Sequence, residues 1–249
     1  MRSKRSRLDR YLSQQPGIRA AEIRPLISKG RLLVDCTVAT SISQVIDEFS
    51  RIELDNTLLQ ANKPTYIMLN KPPGVVSATR DTKHRTVIDL LQRVDRDKLH
   101  LAGRLDYNSS GLLLLTNDGR WSRRLASPQS GIPKVYQVTL ENPVSTAYVT
   151  AFEDGMYFPY EGITTRPAQL KITGKYSAEV TLYEGRYHQV KRMFGRLRNR
   201  VTRLHRSAVG TLQLDPRLAA GQYRELTTCE SSAIWAGQSG AAISNSRCR

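Results

Sequence analysis

The sequence predicts an α+β protein in two parts. A small basic α/β unit comes first, followed by a larger domain whose mixed, largely antiparallel sheet is flanked by helices. Three observations predict this. Short β-rich runs follow one another with helical segments between them, without the regular β-α-β alternation of a parallel sheet. No phosphate-cradling glycine motif joins a strand to a helix, which disfavours a nucleotide-cofactor fold. The 249 residues suffice for one large or two smaller domains, and Gln60-Ala61-Asn62-Lys63-Pro64 reads as a linker between residues 1–59 and 65–230.

In the first unit, Leu8, Tyr11 and Leu12 fall at i, i+3 and i+4, so Arg7–Gln14 reads as a short amphipathic helix that Gly17 interrupts. A second helix is expected over Ile23–Lys29, with Ile23, Leu26 and Ile27 on one face and Gly30 ending it. Pro25 is tolerated only in a first turn, so this helix should begin near Arg24. Leu32–Val34 and Arg51–Leu54 read as short strands.

In the second domain, strands are expected at Thr65–Asn70, Leu112–Thr116, Val135–Leu140, Ala168–Ile172, Ala178–Tyr183 and Thr211–Leu214. Helical segments are expected near Val87–Arg93, Trp121–Ala126 and Thr146–Glu153. A further helix has an apolar face of Tyr187, Val190, Met193, Phe194 and Leu197. Residues 231–249 are rich in Ser, Gly and Ala and read as a disordered tail.

Lysine and arginine outnumber aspartate and glutamate by 38 to 22, a net charge of +16 that attracts polyanions. No apolar run approaches the ~20 residues that span a bilayer, so nucleic acid is the expected partner rather than a membrane. No long apolar segment follows the basic N-terminus, as a secretory signal would require. Cys36, Cys229 and Cys248 are too dispersed for a disulfide framework or a metal quartet, which fits a reducing cytoplasm. His188 and His205 lack partners at metal-ligand spacing, so no metal is expected.

The densest chemical signal is Gly103-Arg104-Leu105-Asp106-Tyr107-Asn108-Ser109-Ser110-Gly111, which runs into Leu112–Leu115. One carboxylate stands in a tight loop that enters a strand made almost wholly of leucine, where a scaffold holds a reactive group still. Three other stretches join it. Tyr136 of Lys134-Val135-Tyr136 shares a strand face with Val138 and Leu140. From Arg186 to Arg206 there are eight Lys or Arg residues and no acid. Leu69-Asn70-Lys71-Pro72-Pro73-Gly74 is a strand end and turn.

Together these stretches resemble, in order, the motifs of pseudouridine synthases. The further motif is Glu184-Gly185-Arg186 with Gln189-Val190-Lys191-Arg192-Met193. Upstream, Arg7-Leu8-Asp9-Arg10-Tyr11-Leu12, Gly17-Ile18, Leu26-Ile27 and Lys29-Gly30-Arg31 resemble an S4 RNA-binding domain. Pro25 and Asp35-Cys36 depart from that pattern. The wording from Gly185 to Phe194, with Leu204-His205-Arg206, is similar to the branch that modifies small-subunit (16S) rRNA at uridine 516.

The resemblance implies an S4-like domain followed by a synthase catalytic domain that isomerises uridine to pseudouridine in rRNA. No cofactor or metal is implied, because one bond is exchanged for another. Asp106 is the implied catalytic carboxylate, Tyr136 the ring that stacks on uracil, and Lys191 the cation beside the acid. Most relatives carry arginine at that last position, and Arg192 is the reserve candidate. Asn70, Lys71, Arg104, Arg186, Gln189 and Arg192 are implied substrate or RNA contacts, with Arg7, Arg10, Arg24, Lys29 and Arg31 in the N-terminal unit. The implied partner is rRNA, free or in an assembling small subunit, met by a monomer. A 23S rRNA substrate and a non-catalytic RNA-binding or ribosome-assembly role are the competing readings.

Overall fold

The computed structural model describes residues 5–92 and 95–236. Two compact units divide the chain at Pro64 and Thr65.

The N-terminal unit holds β1 (Ser6–Arg7), α1 (Leu8–Leu12), α2 (Ala20–Ser28), β2 (Leu32–Val34), β3 (Thr37–Val38), β4 (Val45–Ile46), β5 (Ile52–Leu54) and β6 (Thr57–Gln60). Strands β3-β2-β5-β6 form one sheet, and β1 pairs with β4. Leu8, Leu12, Ile23, Ile27, Leu32 and Ile52 make the core, so the two helices bury the faces their spacing predicts. One expectation is corrected. Helix α2 starts at Ala20 and runs through Pro25. The Glu22 carboxylate accepts from the Arg19 N–H (3.1 Å), which starts the helix early. Pro25 has no N–H to reach the Ala21 carbonyl, but Ala21 is exposed and water can serve it.

The second unit holds β7 (Tyr66–Lys71), β8 (His100–Leu101), β9 (Ser110–Thr116), α3 (Gly119–Ala126), β10 (Lys134–Leu140), α4 (Thr146–Asp154), β11 (Tyr157–Phe158), β12 (Ile163–Thr164), β13 (Gln169–Gly174), β14 (Ser177–Leu182), α5 (Gln189–Arg196), β15 (Val201–Val209), β16 (Leu212–Gln213), β17 (Tyr223–Glu225) and α6 (Thr228–Ala233). The main sheet has the order β13-β14-β10-β15-β9-β7-β17, with β8 on β9 and β16 on β15. Its pairings are antiparallel except β15 with β9, which run parallel through His205↔Ser110 and Arg206↔Gly111. One face buries Ile67, Leu69, Leu113, Leu115, Tyr136, Val138 and Val180 against Phe152, Met193 and Phe194. The other buries Met68, Leu112, Leu114 and Val209 against Trp121, Leu125 and Ile234.

Strand β15 was not expected. From Leu204 to Ala208 its buried residues, Leu204, Arg206 and Ala208, alternate as a strand requires, but an inward arginine hides the alternation. The expected helix at Val87–Arg93 is one 3₁₀ turn, Ile88–Leu90, with position 93 outside the described residues. The expected strand at Thr211–Leu214 shortens to Leu212–Gln213. The expected tail begins later than Ser231. Helix α6 covers Thr228–Ala233, Ile234 is buried, and the Trp121 indole N–H donates to the Ser231 carbonyl (3.1 Å). Residues 237–249 of that expected tail lie outside the described residues. Among the described residues no helix is long and apolar enough to cross a membrane.

Candidate active site

The loop before β9 is pinned at nearly every carbonyl. The Arg104 oxygen accepts from Arg206 Nη1 (3.4 Å), and the Leu105 oxygen accepts from Ser77 Oγ (2.6 Å). The Asp106 oxygen accepts from the Ser109 N–H (3.0 Å), and the Tyr107 oxygen from the Gly74 N–H (2.9 Å). Beneath the loop lies Lys71, wholly buried at the end of β7. Its ammonium donates to the carbonyls of Pro72 (2.9 Å), Tyr107 (3.2 Å) and Ser109 (2.8 Å). Burial is the main reason its pKa falls to about 8.

This framework presents the Asp106 side chain to helix α5. Lys191 Nζ stands 3.1 Å from Asp106 Oδ2, and His188 Nε2 stands 3.4 Å from Oδ1. The carboxylate is only 25 % exposed, so it faces these two groups rather than bulk water. Burial of Val190, Met193 and Phe194 fixes how the helix rotates, and so aims Lys191. His188 precedes the helix in the left-handed region, at φ +48°. Its ring stacks on Tyr187, centroids 3.8 Å apart.

Asp106 and His188 border a cavity of about 560 Å³. Tyr136 lines its interior, and Lys134, Arg206, Arg104 and Arg186 also reach it. The strand register puts Tyr136 opposite Arg206 on β15 and opposite Val180 on β14. A second depression of about 710 Å³ is lined by Lys191, Arg198 and Arg200.

Residues 65–195 match the family described as RNA pseudouridylate synthase. The chain is 51 % identical to the ribosomal small subunit pseudouridine synthase A of Pseudomonas aeruginosa, over 92 % of this chain and 100 % of that protein. The chain belongs to the RNA pseudouridylate synthase family. Its similarity to the protein of the same name from Yersinia pestis is 43 % identity, over 92 % of this chain and 98 % of that one. A crystal structure described as a pseudouridylate synthase superposes with a TM-score of 0.67 at 38 % identity, covering 92 % of this chain and 99 % of that one.

The structure of this synthase brings Asp106, Lys191, Tyr136, Arg104 and Arg186 to one cavity or its border. Three other expected residues, Lys71, Asn70 and Arg192, do not line that cavity, whereas Gln189 does. Lys71 is spent on three carbonyls beneath the loop, because a buried ammonium needs three acceptors. Asn70 donates to the Leu218 carbonyl (2.8 Å) and so ties β7 to the loop before β17. Gln189 is buried, accepting from the Arg186 N–H (3.1 Å) and donating to Glu184 (2.7 Å). Arg192 pairs with Glu161 and lies over the Phe158 ring at 3.9 Å, so it is not a reserve partner for Asp106.

In the N-terminal unit Arg7 pairs with Asp9, and Arg31 with Asp55. Arg24 and Lys29 are exposed and have no acidic partner among the described residues, and Arg10 is exposed beside Asp9. Tyr187 is another correction. It precedes α5 and is 75 % exposed, because the left-handed His188 breaks the helical period there.

Sequence reasoning missed His188 as a partner of Asp106, Ser77 as a strut of its loop, and Arg206 as a buried brace. Nothing local marks Ser77. Arg206 sits in a basic run that reads as a solvated surface.

Proposed function

We propose that this synthase isomerises a uridine of 16S rRNA, at uridine 516 by the motif resemblance, with Asp106 as the catalytic carboxylate. The observation that carries the reading is Asp106 held between Lys191 and His188 at the border of a cavity lined by Tyr136. As the N1–C1′ bond breaks, positive charge develops on the ribose, and the carboxylate meets it. The Lys191 ammonium, 3.1 Å away, balances the carboxylate's charge in a site from which the base excludes water. Tyr136 offers a flat ring on which uracil stacks. The base turns, C5 joins C1′, the C5 proton leaves, and N1 takes up a proton.

The small-subunit target is supported by 51 % identity to the Pseudomonas aeruginosa protein and 40 % to that of Escherichia coli, each over 92 % of this chain. Extruding the base from its stack costs a few kcal/mol. Exposed Arg198 and Arg200 beside the cavity, and Arg10, Arg24 and Lys29 in the N-terminal unit, offset that cost through phosphates. The reading places the protein in the cytoplasm as a monomer, acting on rRNA without a cofactor.

The test is pseudouridine mapping of rRNA from cells lacking the protein, complemented by wild type or D106N. One 16S pseudouridine disappears and returns only with wild type. An unchanged map, or a change confined to 23S rRNA, overturns the assignment.

A further inference from the structure

The cavity floor holds two cations that the roles above leave idle. Lys134 and Tyr136 are two residues apart on β10 and share a face, and Tyr136 lies opposite Arg206 in register. Arg206 is buried, with Nε donating to the Leu112 carbonyl (2.8 Å) and Nη1 to the Arg104 carbonyl (3.4 Å). Lys134 Nζ donates to the Ile132 carbonyl (3.2 Å), which uses one of its three hydrogens. Neither has an acidic partner among the described residues. The two acids that line the cavity are committed elsewhere. Asp106 faces Lys191 and His188, and Glu184 faces Arg186 and Gln189.

Two neighbouring cations without an anion destabilise a fold unless a ligand brings the negative charge. Burial and the Arg206 charge hold the Lys134 ammonium down to about 8, so it still carries its proton at neutral pH. Depth decides which part of the substrate meets it. Arg206 and Tyr136 are buried and Lys134, partly exposed, stands beside them on β10, whereas Asp106, Lys191 and His188 lie at the border. RNA phosphates stay with solvent at the border, and the base is what reaches the floor.

We propose that Lys134, backed by Arg206, is a catalytic residue that stabilises the uracil anion formed when the glycosidic bond breaks. In that step the electron pair of the N1–C1′ bond stays with the base, which leaves as a monoanion with its charge spread over N1, O2 and O4. C1′ is left cationic beside Asp106. Re-attachment returns an electron pair to the C5–C1′ bond, the C5 proton leaves, and N1 takes up a proton, so the net reaction is a neutral isomerisation. An ammonium donating to a carbonyl oxygen of the base interacts more strongly with the anion than with neutral uracil, and only such a difference accelerates the step.

The inference rests on the uridine isomerisation proposed above. Turnover of the same RNA by wild type tests that reading independently. The experiment compares wild type, K134M and K134R on target RNA carrying uridine or 5-fluorouridine, in single turnover read as disappearance of the starting nucleotide, because a C5 fluorine leaves no proton for the last step, alongside RNA affinity at several salt concentrations. K134M is expected to lose about 100-fold in kcat, as when one donor to a developing anion is removed. Its RNA affinity and salt slope stay unchanged, and K134R recovers part of the rate. Fluorine stabilises the departing anion, so the K134M deficit shrinks on the fluorinated RNA. The proposal is overturned by a K134M rate within about threefold of wild type. It is also overturned by weakened affinity with an intact rate, which marks a phosphate contact, or by an equal deficit on both RNAs. If K134M does not fold, K134Q is judged by the same readouts.

Discussion

Replacing Lys71 by methionine separates stability from activity. The folded ammonium has its pKa lowered from 10.5 to about 8. At about 1.4 kcal/mol per unit, carrying that charge costs the fold about 3 kcal/mol at pH 7. Methionine removes this cost at similar volume. It also orphans three carbonyls, of which the Ser109 oxygen is buried and the Pro72 and Tyr107 oxygens partly so. An orphaned buried acceptor costs about 1–3 kcal/mol, and a part-wetted one less, so the loss totals about 2–5 kcal/mol. The two contributions nearly cancel, and K71M should melt within about 8 °C of wild type, at about 2–4 °C per kcal/mol. Activity does not cancel. The Asp106 loop loses three ties, and a displacement of about 1 Å is worth about 100-fold in rate.

The same residue predicts a pH signature. A lysine whose folded pKa is depressed is protonated more fully in the unfolded chain between about pH 8 and 10.5. Stability therefore rises with pH across that window, and wild type gains up to about 3 kcal/mol relative to K71M. Differential scanning calorimetry from pH 7 to 10.5, with single-turnover kinetics at pH 7, checks both statements. A K71M protein that melts more than 15 °C lower and retains wild-type kcat would refute the reasoning, as would a difference that falls with pH.

Other perturbations give equally direct outcomes. D106N should abolish turnover while changing Tm by less than about 4 °C, because a part-exposed ion pair is worth about 1 kcal/mol or less; kinetics and melting on one preparation check this. K191R should keep most of the rate and K191M lose at least about 10-fold, read as kcat with KM unchanged. Gly111 has φ +104°, and a Cβ there would overlap the Arg206 carbonyl oxygen. G111A should therefore part β9 from β15 and cost about 3 kcal/mol or more, measured by denaturant unfolding. RNA affinity should fall linearly with the logarithm of salt concentration, and replacing Arg198 and Arg200 together should flatten that slope by about two, by filter binding.

What the chain makes legible by itself is whatever repeats with a fixed period or depends on residue type. The leucine run of β9, the face shared by Tyr136, Val138 and Leu140, and the buried Val190, Met193 and Phe194 of α5 are all readable from spacing. The Asp106 loop is readable because small polar residues around one acid, before a buried strand, have few other uses. The net charge points to a polyanion without geometry.

Contacts between residues far apart in the chain were decided only by tertiary structure. Lys71 looks like a surface lysine until the loop 36 and 38 residues later closes over it. Arg206 looks solvated until Gly111 leaves room for the parallel pairing that buries it. Arg192 and Lys191 are adjacent and both basic, yet the helix sends one to Glu161 and the other to Asp106. The physical reason is that hydrophobic periodicity is a local property, whereas the partner of a charge depends on which distant backbone folds against it.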